Sequence, residues 1–186
     1  MLRDIHAKLF RIGLVGCVLL GVFSIVPTAA AAPFGEGAFG ADVPFGSATS
    51  LSIALGGNVN LALTPSGSDF TGTGSNTVTV TDTDPVGYAL YMYAANGTSM
   101  TNGSSTIAAS ANTTEGPLAV NTWGYNTDGS ANYLGISSTP TLIKSGSGPF
   151  ESGDNTTVTY GVLADVTQPE GSYSVNITYT AVALNN

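Results

Sequence analysis

Short runs with an apolar residue at every second position, each closed by a Gly- or Pro-containing turn, constrain this chain more than any other feature. In NTVTVTDTD (76–84), Val78 and Val80 fall on one side of an extended backbone and threonines on the other. YALYMYAA (88–95) sets Tyr88, Leu90 and Met92 on one face, with Ala89, Tyr91 and Tyr93 opposite. TTVTYGVLADV (156–166) aligns Val158, Tyr160, Val162 and Ala164, and the closing run directs Tyr173, Val175, Ile177, Tyr179 and Ala181 inward, where they are expected to be buried. Leu51, Ile53 and Leu55, then Gly56-Gly57, then Val59, Leu61 and Leu63 predict a β-hairpin. Residues 96–150 read as loop-rich around Leu118-Ala119-Val120 and Trp123-Gly124-Tyr125. The pattern predicts an all-β fold, an antiparallel Ig-like or Greek-key β-sandwich of about seven to nine strands preceded by an N-terminal signal helix.

That helix is read from the first 31 residues. Arg3, Lys8 and Arg11 precede an apolar run from Ile12 to Val26, and Ala29-Ala30-Ala31 supplies a small-residue cleavage site. A basic region, an apolar region and such a site make a secretory signal peptide, here cut after Ala31. Leu14-Val15-Gly16-Cys17 also matches a lipoprotein box, although Cys17 lies early in the apolar run. A cut after Gly13 would imitate a type IV prepilin, although Val18 stands where such pilins carry Glu. As an uncleaved anchor the run is short for a bilayer span, which needs about 20 residues. The expected organisation is a signal peptide at 1–31, a Gly/Pro/Phe tail at 32–48 and a β-sandwich domain at 49–186. Contact with the membrane is expected only through the signal segment before cleavage.

Removing the leader removes His6, Cys17 and every Arg, leaving eleven acidic residues against Lys144 and a net charge of about −10. The mature chain cannot build a Ser-His or Cys-His nucleophile, a His/Cys zinc site or a disulfide. One lysine cannot make a basic groove, so no nucleic-acid partner is expected. No cofactor and no enzyme activity are expected; carboxylate-based hydrolysis is the remaining enzymatic alternative.

VTYGVLADVTQPEGSYSVNITYTAVA, with NTWGY (121–125) and DPVGYALYMY (84–93), resembles small secreted β-sandwich surface proteins of bacteria. These include the WxL-type surface domains of Gram-positive cells and surface proteins of reduced-genome, host-attached bacteria. The ending P-x-G-x-Y-x-x-x-I-x-Y is similar to the final strand of chaperone–usher pilins of the spore-coat type. The resemblance spans residues 47–182 and implies a pilin-like, non-enzymatic surface or adhesion subunit. It carries over no catalytic residue, and the WxL tripeptide itself does not occur here.

Individual residues each admit two readings. Trp123, with Tyr125, is either a sugar-stacking platform or core. Tyr125 to Asn132 places oxygens at calcium-like spacing but lacks the closing Glu of an EF-hand loop, so Asn126 and Asp128 are weak calcium candidates beside an ordinary Asx/Gly turn. Asp82 and Asp84, two apart at a strand end, share a face and are candidates for the same role or solvated end-caps. Asn96, Asn102, Asn112, Asn155 and Asn176 begin N-x-S/T sequons, candidate glycosylation sites. Lys144 in TLIK is a candidate for an intramolecular isopeptide bond, with Asn176 as partner, or a surface residue.

The tail APFGEGAFGADVPFGSA (32–48) repeats Pro-Phe-Gly and carries Phe34, Phe39, Val43 and Phe45 in a sequence too Gly-rich to pack alone. It folds onto its own domain or adds as a strand to a neighbouring subunit. The chain stops on its last strand without a hydrophobic tail, which suits a protein held by its neighbours. The expected function is a secreted surface or fibre subunit partnering itself or other surface proteins; the alternative is a carbohydrate- or cell-wall-binding module.

Overall fold

The computed structural model describes residues 49–184, and every regular element in that range is a strand. They are β1 (Leu51–Leu55), β2 (Thr64–Ser66), β3 (Asp69–Asp82), β4 (Tyr88–Tyr93), β5 (Met100–Asn102), β6 (Ser105–Ala109), β7 (Thr122–Asn126), β8 (Thr141–Gly146), β9 (Phe150–Asp165) and β10 (Thr178–Ala183). A seven-stranded sheet runs β1-β3-β9-β7-β6-β5, with β2 also on β3, and a three-stranded sheet runs β10-β4-β8. Only β6 and β7 pair in parallel. The signal segment and the tail lie outside the described residues.

The alternation identified in the sequence builds the core between the two sheets. Val78 and Val80 of β3, Val158, Tyr160 and Val162 of β9, and Tyr88, Leu90 and Met92 of β4 are all buried in one cluster. The registers Trp123↔Val162 and Tyr125↔Tyr160 place β7's aromatics on the same inner face. Residues 122–126, within the region read as loop-rich, are therefore a central strand. On the opposite face Gly124 pairs with Gly161, and the Tyr133 ring lies where a Cβ at Gly161 would point. Glycine is used there to admit an aromatic ring against the sheet.

Three expectations are corrected. Ten strands form where seven to nine were expected, because β5, β6, β7 and β8 all lie in the region read as loop-rich. The 51–63 hairpin does not form: β1 pairs with β3, and residues 57–63 are not a strand. The cause lies in β3, where Gly72 and Gly74 face inward without side chains. A Cβ on Gly74 would sit 2.8 Å from Val59 Cγ1 and 3.0 Å from Leu61 Cδ2. Val59 and Leu61 therefore pack onto this glycine shelf, so their alternation reports contact with the core and not pairing with β1. The closing run also pairs later than expected. Tyr173, Val175 and Ile177 face inward in the expected register but are only half-buried, and β10 begins at Thr178. Before that, Ser174 exchanges two backbone hydrogen bonds with Thr101, at 2.9 and 3.1 Å.

Leu90→Ala should cost roughly 2–5 kcal/mol, as for a fully buried large-to-small change. Ile177→Ala, on a half-buried wall, should cost roughly half as much on the same scale. Urea unfolding of both variants measures this, and equal costs would show that residues 171–177 are packed as deeply as β4.

Candidate functional site

Two built features stand out. The first is an inter-sheet groove of about 800 Å³. Its floor is Met100, Ile107, Trp123, Tyr160 and Val162, and its walls are residues 57–63 on one side and 171–177 on the other. Among the described residues, the backbone of 57–63 makes no hydrogen bond to another backbone group, and that of 171–177 bonds only through Ser174. The groove is thus apolar below and flanked by chain whose N–H and C=O groups, Ser174 apart, have no backbone partner among the described residues. Ile53, Leu55 and Leu63 are exposed on the adjoining chain.

Two phenols meet at this groove, and Tyr125 of β7 lines a second, smaller pocket. The hydroxyls of Tyr160 and Tyr179 are in direct contact, and Tyr160 also reaches Met92 Sδ at 3.8 Å. Burial, reinforced by the neighbouring Tyr179, pushes the Tyr160 phenol far above its ordinary value. Burial also raises Tyr179, partly opposed by its bond to Tyr160, and raises Tyr125. Tyr160 and Tyr179 offer neutral hydrogen-bonding capacity, and no charge, to whatever lies in the groove.

The second feature is a polar centre between β8, β9 and β4. Lys144 Nζ lies 2.6 Å from Asp154 Oδ1 and donates to the Asn155 carbonyl at 3.0 Å. The Tyr88 hydroxyl donates to Asp154 Oδ2 at 2.8 Å. Backbone irregularities flank both members of the ion pair. On β8 the register passes from Leu142↔Tyr91 to Lys144↔Leu90, so Ile143 is an extra residue and Lys144 is turned to the inner face of Leu90. On β9 the register breaks between Asp154↔Val80 and Phe150↔Asp82, with Gly153 at φ 86°. Asp82 shares the inner face of Val80 and is fully buried; its Oδ1 accepts from the Asp84 amide, while Oδ2 has no partner among the described residues. The Thr156 hydroxyl of β9, opposite Val78, is likewise buried without a partner among the described residues.

The remaining candidates are dispersed. Trp123 is fully buried, its Nε1 donating to the Thr98 carbonyl at 3.0 Å, and Tyr125 is buried beside it. Neither shows a ring face to solvent, so the sugar-platform reading of both is corrected: they are core. Asp84 caps its own turn through the Val86 amide. Asn126 is fully buried, its amide nitrogen donating to the Ser130 and Asn132 carbonyls and its oxygen accepting from Gly129. Asp128 accepts from the Ser130 amide, which holds its carboxyl below the usual range. The loop is thus closed by Asx turns whose carbonyls face an amide donor, the opposite of a cation cage. Among the described residues, no three His, Cys, Asp or Glu side chains are grouped to hold a metal.

The sequons divide. Asn96, Asn155 and Asn176 are exposed. Asn112 donates to the carbonyls of Gly116, Pro117 and Tyr133, and Asn102 to that of Glu170, so both amides are committed in the folded protein. Asn176 lies on the groove, whereas Lys144 meets Asp154, which corrects the Lys144–Asn176 pairing. Phe34, Phe39 and Phe45 lie outside the described residues. Sequence reasoning missed the groove and Asp154; the glycine pair in β3 and the lone lysine were the available signals. No protein-family model matches the sequence, and no curated protein matches it significantly.

Two outcomes test this arrangement. Replacing Asn126 by Asp puts an oxygen in place of the donor to two carbonyls and should cost roughly 1–3 kcal/mol, while millimolar calcium should leave the unfolding midpoint unchanged. A calcium-raised midpoint would restore the loop as a cation site. The phenols give the pH dependence. A tyrosine that ionises near pH 10 when unfolded but is held neutral in the fold stabilises fully below that pH and progressively less above it. Alkaline unfolding should therefore set in above about pH 10, and Tyr160→Phe should move its midpoint upward.

Proposed function

We propose that this protein is a non-enzymatic, secreted cell-surface or fibre subunit of the pilin-like kind, which assembles when an extended segment of another copy enters the inter-sheet groove. The observation that carries this reading is the groove itself: an apolar floor between two walls whose backbone groups, Ser174 apart, lack backbone partners among the described residues. An incoming strand would find hydrogen-bonding edges beside it and apolar pockets at alternate positions below it, the two requirements of strand addition. Residues 32–48 suit the role, with Phe34, Phe39, Val43 and Phe45 in a chain that has little else to pack. Fully extended, these 17 residues span roughly 55 Å, well over the roughly 23 Å of a seven-residue wall.

Charge supports the same reading. Natural monomers blunt open sheet edges with lysine, proline or bulges. The described residues contain one cation, Lys144, and it is turned into the sandwich. The carbohydrate-binding alternative loses its main platform because Trp123 is buried.

Deleting residues 32–46 should leave a folded monomer that no longer assembles, and a synthetic 32–48 peptide should bind it and restore the paired state. Negative-stain images and light scattering of the secreted protein read the result. If the truncated protein still forms the same oligomers, or the full-length protein stays monomeric at high concentration, strand addition by this tail is wrong.

A further inference from the structure

The geometry points to a covalent modification site in the polar centre: Lys144 and Asp154 condense to an intramolecular amide that bonds the small sheet to the large one. Four observations converge on this site, and none depends on how the protein assembles. The amine and the carboxyl are already at 2.6 Å. Each is set there by a local departure from regular pairing: the extra residue Ile143 turns Lys144 inward, and the register break with Gly153 in the left-handed region precedes Asp154. The Tyr88 hydroxyl holds the second carboxyl oxygen at 2.8 Å and so fixes the plane of the group to be attacked. Two residues along β3 from Val80, which pairs with Asp154, the fully buried Asp82 carboxylate keeps one oxygen without a partner among the described residues.

An ordinary ion pair needs none of these additions. Partly exposed pairs of this kind contribute little, and a fully buried carboxylate with one oxygen unpartnered among the described residues costs stability. The same additions are what amide formation requires. A proton passes from Nζ to the Asp154 carboxyl, giving a neutral amine and a neutral acid. The Nζ lone pair attacks Cγ, forming the C–N bond. A second proton leaves nitrogen through the free oxygen of Asp82 and is delivered to the departing Asp154 hydroxyl, and the C–O bond breaks. One water is released, one hydrogen stays on the amide nitrogen, and Asp82 ends as it began. No oxidant, cofactor or second substrate enters. Asp82 is assigned as proton carrier, and Tyr88 as a positioning residue.

Mass spectrometry of the secreted, folded protein decides the matter. Chymotryptic cleavage after Phe150, which lies between the two partners, should leave the Lys144 and Asp154 fragments joined, as a branched species lighter than the sum of its parts by one water. Lys144→Arg and Asp154→Ala should each abolish the joined species, and Asp82→Asn should slow its appearance after refolding. Separate fragments of full mass from the wild-type protein would overturn the proposal. So would a loss of water that persists in Lys144→Arg, since that would mark a succinimide at an aspartate. A cross-link forming at an unchanged rate in Asp82→Asn would overturn the role given to Asp82.

Discussion

The pairing of β3 with β9 carries the rest of the structure. It runs from Asp69↔Asp165 to Asp82↔Phe150, long enough to serve both ends of the molecule. β1 and β2 attach to β3, and β7 attaches to β9, so the large sheet grows outward from this one ladder. Every inner-face residue named in the core depends on its register. A slip of one position would turn Val78, Val80, Val158 and Tyr160 to solvent and their threonine neighbours into the core. Burial of Val78, Val80 and Val158 on one inner face makes that slip costly, at roughly 1.5–3 kcal/mol for each large apolar side chain.

The same ladder explains why the core is uneven. Toward the Asp69 end, β3 contributes Gly72 and Gly74 to the inner face where its other half contributes valines. Missing side chains leave space, and residues 57–63 enter it without joining the sheet. The small sheet has three strands against seven, so it leaves part of the large sheet to be covered by chain that is not paired. Groove, glycine shelf and half-buried closing run are one phenomenon: a sandwich whose second layer is narrower than its first.

Legibility from sequence followed this division. Where a strand is buried on one face, period-two alternation reports that face directly, and β4 and the valine-bearing halves of β3 and β9 were readable down to individual residues, whereas residues 69–75 and 150–155 of those two strands were not. Where burial comes from something other than a strand partner, the same alternation misleads. Val59, Leu61 and Leu63 alternate like a strand, yet it was Gly72 and Gly74, about a dozen residues on, that decided what they pack against. Trp123-Gly124-Tyr125 lay among turn-forming residues and concealed a central strand, because the ring that covers Gly161 comes from Tyr133, across a loop. The lone lysine was visible as an anomaly, but Asp154 was not, since an extra residue in β8 changes which face Lys144 occupies and no local rule announces such a bulge.

Scarcity of charge links the two ends of the molecule. Residues 32–186, with eleven acidic residues and one lysine, have strong self-repulsion and few ion pairs to offset it. That lysine is paired with Asp154 on the inner face of β8, its side chain 29% exposed, and does not line the groove. One placement therefore has two consequences. At the polar end it assembles amine, carboxyl, phenol and a second carboxylate in a confined space. At the groove end it leaves the sheet margin and its exposed Ile53, Leu55 and Leu63 without a charged gatekeeper. An edge of that composition is a hazard in an isolated monomer and an asset in a subunit that is covered by its neighbour, and the phenylalanine-bearing segment ahead of β1 is the part of this chain whose composition fits the cover.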